Sequence, residues 1–134
     1  MALVCLGEER TLTLAEIEEY ILSNYQATAD QSFEGDPTVT IFRRLDNNQR
    51  FAATKNVGCR SVNVERVGRI DILNVSVNPR LVATLREREG FRPAWRMNRN
   101  KWVTVLLDGT VPDDEIRTYL DMSYKNAGRK GGKR

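Results

Sequence analysis

Apolar positions change rhythm along the chain, recurring every three or four residues near both ends and alternating or running together in the middle. Leu14, Ile17, Ile21 and Tyr25 are spaced so that one helical face carries all four. Thr13-Leu14-Ala15-Glu16 reads as a capping box: the Thr13 hydroxyl can accept from an early helical amide, and Glu16 can reach back to the Thr13 N–H. The spacing therefore predicts a helix from Leu14, with Glu18 and Glu19 facing water and complementing its positive end. Ser32 to Pro37 breaks regular structure, and Thr38 to Leu45 then gives a β-branched and aromatic run that predicts a strand. Asp46-Asn47-Asn48-Gln49 has turn-forming side chains, so Arg50 to Thr54 is expected to return antiparallel, gathering Arg43, Arg44 and Arg50 around one hairpin tip. After a connection over residues 55–60, Ser61 to Val77 is rich in β-formers, with a bend at Gly68, and reads as one bent strand or two short ones.

Asn78-Pro79 supplies a helix cap followed by proline at the first helical position, where its missing N–H costs nothing. A helix over residues 79–89 would turn Leu81, Val82 and Leu85 inward, and Gly90 would stop it. Residues 92–107 then predict a hairpin whose strands are Trp95-Arg96-Met97 and residues 101–105, joined by Asn98-Arg99-Asn100. Acidic residues after Pro112 mark another helix start, and Ile116, Tyr119, Leu120 and Tyr124 continue its apolar face. The order predicts one α+β domain over residues 1–127: helix, three- or four-stranded antiparallel section, helix, hairpin, helix. Residues 128–134 are polar, basic and glycine-rich and are expected to form a flexible tail.

Composition narrows the function classes. A chain of 134 residues, 40% of them hydrophobic, can bury one core and is short for two domains. No stretch approaches the roughly 20 apolar residues of a membrane span, and residues 1–10 lack the basic start and long apolar run of a signal sequence, so a cytoplasmic location is expected. Cys5 and Cys59 are far apart and in no metal-ligand spacing, which argues for reduced thiols and against a disulfide framework. The chain has no histidine, removing Ser-His-Asp and Cys-His arrangements and imidazole ligands; the expectation is a non-enzyme with no cofactor and no metal. Arg60 beside Cys59 could lower a thiol pKa, but a bystander thiol is the simpler reading. Glu8, Glu9, Glu16, Glu18 and Glu19 could attract a hard cation, although single charges along a helix face are not a chelating site.

Charge is unevenly placed. Residues 1–42 hold one cation against eight carboxylates, whereas residues 43–101 hold fourteen cations against five. Such a basic middle attracts polyanions, or equally neutralises the protein's own acidic first segment. Arg92, Trp95, Arg96, Asn98, Arg99, Asn100 and Lys101 bring together cations for phosphates and a flat group for bases. Alternation along the strand puts Trp102 on one face with Thr104 and Leu106, as a core residue, and leaves Trp95 as the stacking candidate. The competing account is a solvated basic face paired with carboxylates such as Glu65 and Asp71.

The segment FRPAWRMNRNKWVTVLLDGTVPDDEI (residues 91–116), with DMSY at 121–124 and IDILNVSVNP at 70–79, resembles the MmcQ/YjbR family, and the similarity extends over residues 13–127. The resemblance implies an antiparallel sheet with helices packed on one face, in a frataxin-related layout. It also implies a candidate DNA-binding group with two hairpin wings, which here would be residues 43–50 and 95–101. Family members often carry histidine where this chain has Arg96 and Lys101, so the positive charge is kept without the imidazole. The leading expectation is weak, sequence-independent DNA binding by the basic hairpins; the other is a non-enzymatic protein that holds an acidic protein or ligand there.

Overall fold

The computed structural model describes residues 13–31 and 35–131; Cys5, Glu8, Glu9 and residues 132–134 lie outside them. The capping box forms as expected: the Glu16 N–H donates to Thr13 Oγ1 at 3.2 Å and the Thr13 N–H to Glu16 Oε1 at 3.0 Å. It starts α1 (Leu14–Asn24), which buries Ile17 and Ile21. Tyr25 turns the backbone extended, and the chain enters β1 (Ala27–Asp30), a strand the apolar pattern does not mark. β2 (Thr40–Arg44) and β3 (Arg50–Gly58) form the expected hairpin, with β3 longer than its apolar run. There follow a 3₁₀ turn (Cys59–Val62), β4 (Arg69–Ser76), α2 (Pro79–Arg86), β5 (Phe91–Pro93), β6 (Trp102–Leu106) and α3 (Asp113–Gly131).

The strands make one antiparallel sheet in the order β1-β2-β3-β4-β6-β5. Phe42, Ala52, Val75 and Val103 stand in register across four strands and share a face with Leu73, Val105 and Phe91. α1, α2 and α3 lie against that face, through Ile17 and Ile21, Val82 and Leu85, and Ile116 and Leu120. Ser123, fully buried on α3, accepts from the Ser76 N–H at 2.8 Å and donates to the Phe51 carbonyl, so one hydroxyl bridges β3 and β4.

The second face is covered by loops. Ile41 and Ala53 pack with Trp95 and Met97, while Val57, Ile70, Ile72 and Leu106 pack with Val62, Val64 and Trp95. This corrects two expectations. Residues 61–68 form no strand: Asn63 (φ 60°) and Gly68 (φ 104°) turn the chain so that Val62 and Val64 fold over the sheet. The 91–107 hairpin exists, but β5 ends at Pro93, and Trp95-Arg96-Met97 lies in an eight-residue connection, residues 94–101. α3 also continues to Gly131, through residues whose composition suggested a tail.

Candidate nucleic-acid interface

The ten residues singled out from sequence divide by what their side chains already do. Arg44 is structural. Its guanidinium bonds both Asp46 oxygens, at 2.9 and 2.6 Å, donates to the Tyr124 carbonyl at 2.8 Å, and sits 4.0 Å from the Tyr124 ring centroid. The same pairing holds the Asp46 carboxyl below the usual range. Gly128 makes room for it, since a Cβ there would lie 2.8 Å from Arg44 Cζ. Arg44 thus ties the β2–β3 turn to α3, and Asn47 adds a bond to the Ala127 carbonyl at 3.1 Å. Arg44→Lys should cost about 2 kcal/mol in urea unfolding, because an ammonium cannot make the bidentate and ring contacts together. A loss below about 0.5 kcal/mol would mean that solvent already screens the contacts.

Arg43 is half committed, with Nε 3.0 Å from Asp30 Oδ2. Arg50 is exposed, with no ion-pair partner among the described residues. In the second segment, Asn98 builds the turn: its Oδ1 accepts from the Asn100 N–H at 2.9 Å, and its carbonyl accepts from Lys101 and Trp102. Asn100 contributes that main-chain donor, and Arg99 and Lys101 are exposed. Arg92 stands on the edge strand β5 with Nη1 on the Phe91 carbonyl at 3.0 Å.

Trp95 is fixed against the sheet. Its N–H donates to Thr104 Oγ1 at 2.8 Å and its carbonyl accepts from Asn74 Nδ2 at 2.9 Å, while its ring packs over both hydrophobic clusters of the second face. Arg96 (φ 55°) places its guanidinium 5.2 Å from the Trp95 centroid and 3.5 Å from Asp36; Lys55 approaches the same ring at 5.9 Å and the same carboxylate at 3.9 Å. The Thr38 hydroxyl and amide hold the Asp36 carboxyl below its ordinary range, helped by Lys55 and Arg96. Asp36 therefore stays ionised and offsets both cations. The geometry gives Trp95 and Arg96 structural work in place of base stacking, and Trp102 is buried as its strand face implies.

Strand register brings the remaining cations together. Arg43 stands opposite Arg50. The β3–β4 ladder starts at Ala52 opposite Val75, so Arg50, at the start of β3, and Val77, just past β4, lie at the same end of the sheet, and the Val77 N–H donates to the Lys101 carbonyl at 2.8 Å. Arg43, Arg50 and Lys101 thus lie at one end of the sheet, with Arg99 in the turn that precedes Lys101. Beside Val77, a groove between the start of α2 and the second half of α3 is bordered by Arg80 and Lys125. Neither was singled out from the sequence, where each is one charge on a helix with no binding motif around it. Arg92, Trp95 and Arg96 stand apart from this end.

Little else converges. Glu16 is used in the cap, and Glu18 accepts from Thr54 on the sheet at 2.9 Å. Among the described residues no three His, Cys, Asp or Glu side chains group to hold a metal, and no helix is long and apolar enough to cross a membrane. Cys59 is buried.

A family model described as YjbR matches residues 22–126. The chain is 26% identical to the uncharacterized protein YyaQ of Bacillus subtilis over 113 residues, 84% of this chain and 96% of that one. It is 29% identical to the uncharacterized protein YjbR of Escherichia coli K12 over 117 residues, 87% of each chain. Among solved structures, a Pseudomonas syringae protein superposes with a TM-score of 0.81 at 28% identity, covering 86% of this chain and 98% of that one. A Deinococcus radiodurans protein shares the fold, with a TM-score of 0.70 at 22% identity over 92% of this chain and 84% of its own.

Proposed function

The chain belongs to the YjbR family, and on that premise we propose that it binds duplex nucleic acid weakly and without sequence preference, through the cationic end of its sheet. The observation that carries this reading is that Arg43, Arg50 and Lys101 share one end of the sheet, with Arg99 beside them. Adjacent strands lie about 4.8 Å apart, so β3 and β6, two strands apart, are separated by roughly 10 Å, and the long side chains of Arg50 and Lys101 at this end can reach neighbouring phosphates. Trp95 is occupied elsewhere, so the surface offers phosphate neutralisation without a stacking platform, which favours backbone contact over base readout. The reading assigns no catalytic step and needs no cofactor.

Fluorescence anisotropy with a labelled random duplex at several salt concentrations tests it. Affinity should fall linearly in log salt, and Arg50→Ala/Arg99→Ala/Lys101→Ala should reduce the slope by about 2.7, some 0.9 for each phosphate no longer neutralised. Absence of micromolar binding at low salt would overturn the reading. So would loss of binding only when Arg129, Lys130, Lys133 and Arg134 are neutralised, since the terminus and not the sheet would then carry the binding.

A further inference from the structure

The two edges of the sheet are built differently. β5 has three residues and ends in Pro93, which has no N–H to offer, and it carries Arg92, so this edge is poorly suited to another strand. β1 carries neither lysine nor proline, and its sequence, Ala27-Thr28-Ala29-Asp30, is small and mostly uncharged. Among the described residues it has a strand neighbour on one side only. The phase of its ladder follows from one bond: the Leu45 N–H donates to the Gln26 carbonyl at 2.9 Å. Opposed residues in an antiparallel pair alternate between exchanging hydrogen bonds and not, so Gln26, Thr28 and Asp30 turn their main-chain groups toward β2. Ala27 and Ala29 turn theirs outward.

We propose that this edge pairs with the same edge of a second copy of the chain, antiparallel about a twofold axis at Thr28, joining the two sheets into one. Outward groups must meet outward groups, and this register does so: Ala27 exchanges two hydrogen bonds with the second copy's Ala29, and the symmetric pair adds two more. Thr28 then faces its own copy in a non-hydrogen-bonded pair, where side chains are closest and threonines bond well. Gln26 faces the second copy's Asp30, an amide opposite a carboxylate, so no like charges are opposed across the junction. Large apolar side chains collect near this edge: of three exposed among the described residues, Leu45 lies opposite Gln26 and Leu22 sits near the end of the helix that leads into β1. A four-residue pairing buries little area, so the dimer should be weak, with a dissociation constant on the order of 100 µM.

Sedimentation equilibrium of the full chain from about 10 µM to 1 mM, a span chosen to bracket that weak affinity, should show a reversible rise toward twice the 15.3 kDa chain mass. Thr28→Lys places like charges on the axis and should abolish the rise with the melting temperature unchanged, whereas Thr28→Val should keep it. The register has its own test: in a Cys5→Ser background, Thr28→Cys should give a disulfide-linked dimer on diamide oxidation, because Cα atoms of such a pair lie about 4.5 Å apart. Cys59 is 1% exposed and should not compete. A monomer at every concentration, including one whose own residues 1–12 cover the edge, would overturn the proposal. A dimer indifferent to Thr28→Lys would overturn it too.

Discussion

Replacing Gly90 by alanine is expected to lower the stability by about 3 kcal/mol, from left-handed backbone strain and overpacking together. Gly90 has φ 91°, which an L side chain rarely adopts, and a Cβ on it would lie 2.5 Å from Val111 Cγ2 and 3.1 Å from Thr110 Cγ2. Neither neighbour can withdraw easily: Val111 is 2% exposed and belongs to the main core. Nor can Gly90 shift, because its carbonyl accepts from the Leu106 N–H at 2.8 Å and so closes the junction between β5 and β6. Urea unfolding followed by circular dichroism would measure the loss. The Gly90→Ala/Val111→Ala double variant should then recover about 1 kcal/mol relative to the sum of the single changes, since only the steric clash and not the φ strain is relieved. A loss under about 1 kcal/mol, below the usual cost of overpacking, would show that the 108–111 turn yields.

Features set by neighbouring residues were legible in the sequence. The Thr13–Glu16 box, the Asn78-Pro79 helix start and the inward face of Trp102 each depend on residues within one turn or one strand, and each stands in the structure. β1 was not legible, because four small residues carry no apolar rhythm; its place comes from pairing with β2. Ser61 to Gly68 was misread for the opposite reason. Its valines suit a strand, but the second face needs a cover and Val62 and Val64 supply it. The candidate site followed the same rule. Charge at the hairpin tips was visible, yet Arg44 is committed to a carbonyl 80 residues away, and only the register shows which tips share an end of the sheet.

Trp95 shows how far a local pattern can mislead, and Asn74 is where the reason can be tested. The Trp-Arg-Met segment has strand propensity but lies outside the strands, and Asn74 and Thr104 take the main-chain groups of Trp95. They are paired across β4 and β6 and are 2% and 0% exposed, and the Thr104 hydroxyl donates to Asn74 Oδ1. Asn74→Ala removes the donor to the part-buried Trp95 carbonyl and the acceptor for the buried Thr104 hydroxyl, and leaves a new void beside them. The expected cost is about 3–4 kcal/mol. In a Trp102→Phe background, Trp95 emission should shift to the red at urea concentrations where the circular dichroism is still native, because the 94–101 connection is the part released. Emission that changes only with global unfolding would show that side-chain packing alone holds the loop. The same variant also separates charge from shape in the proposed function. Arg99 and Lys101 remain on the loosened segment, so binding governed by phosphate neutralisation should keep most of its salt slope, which the triple alanine variant should not.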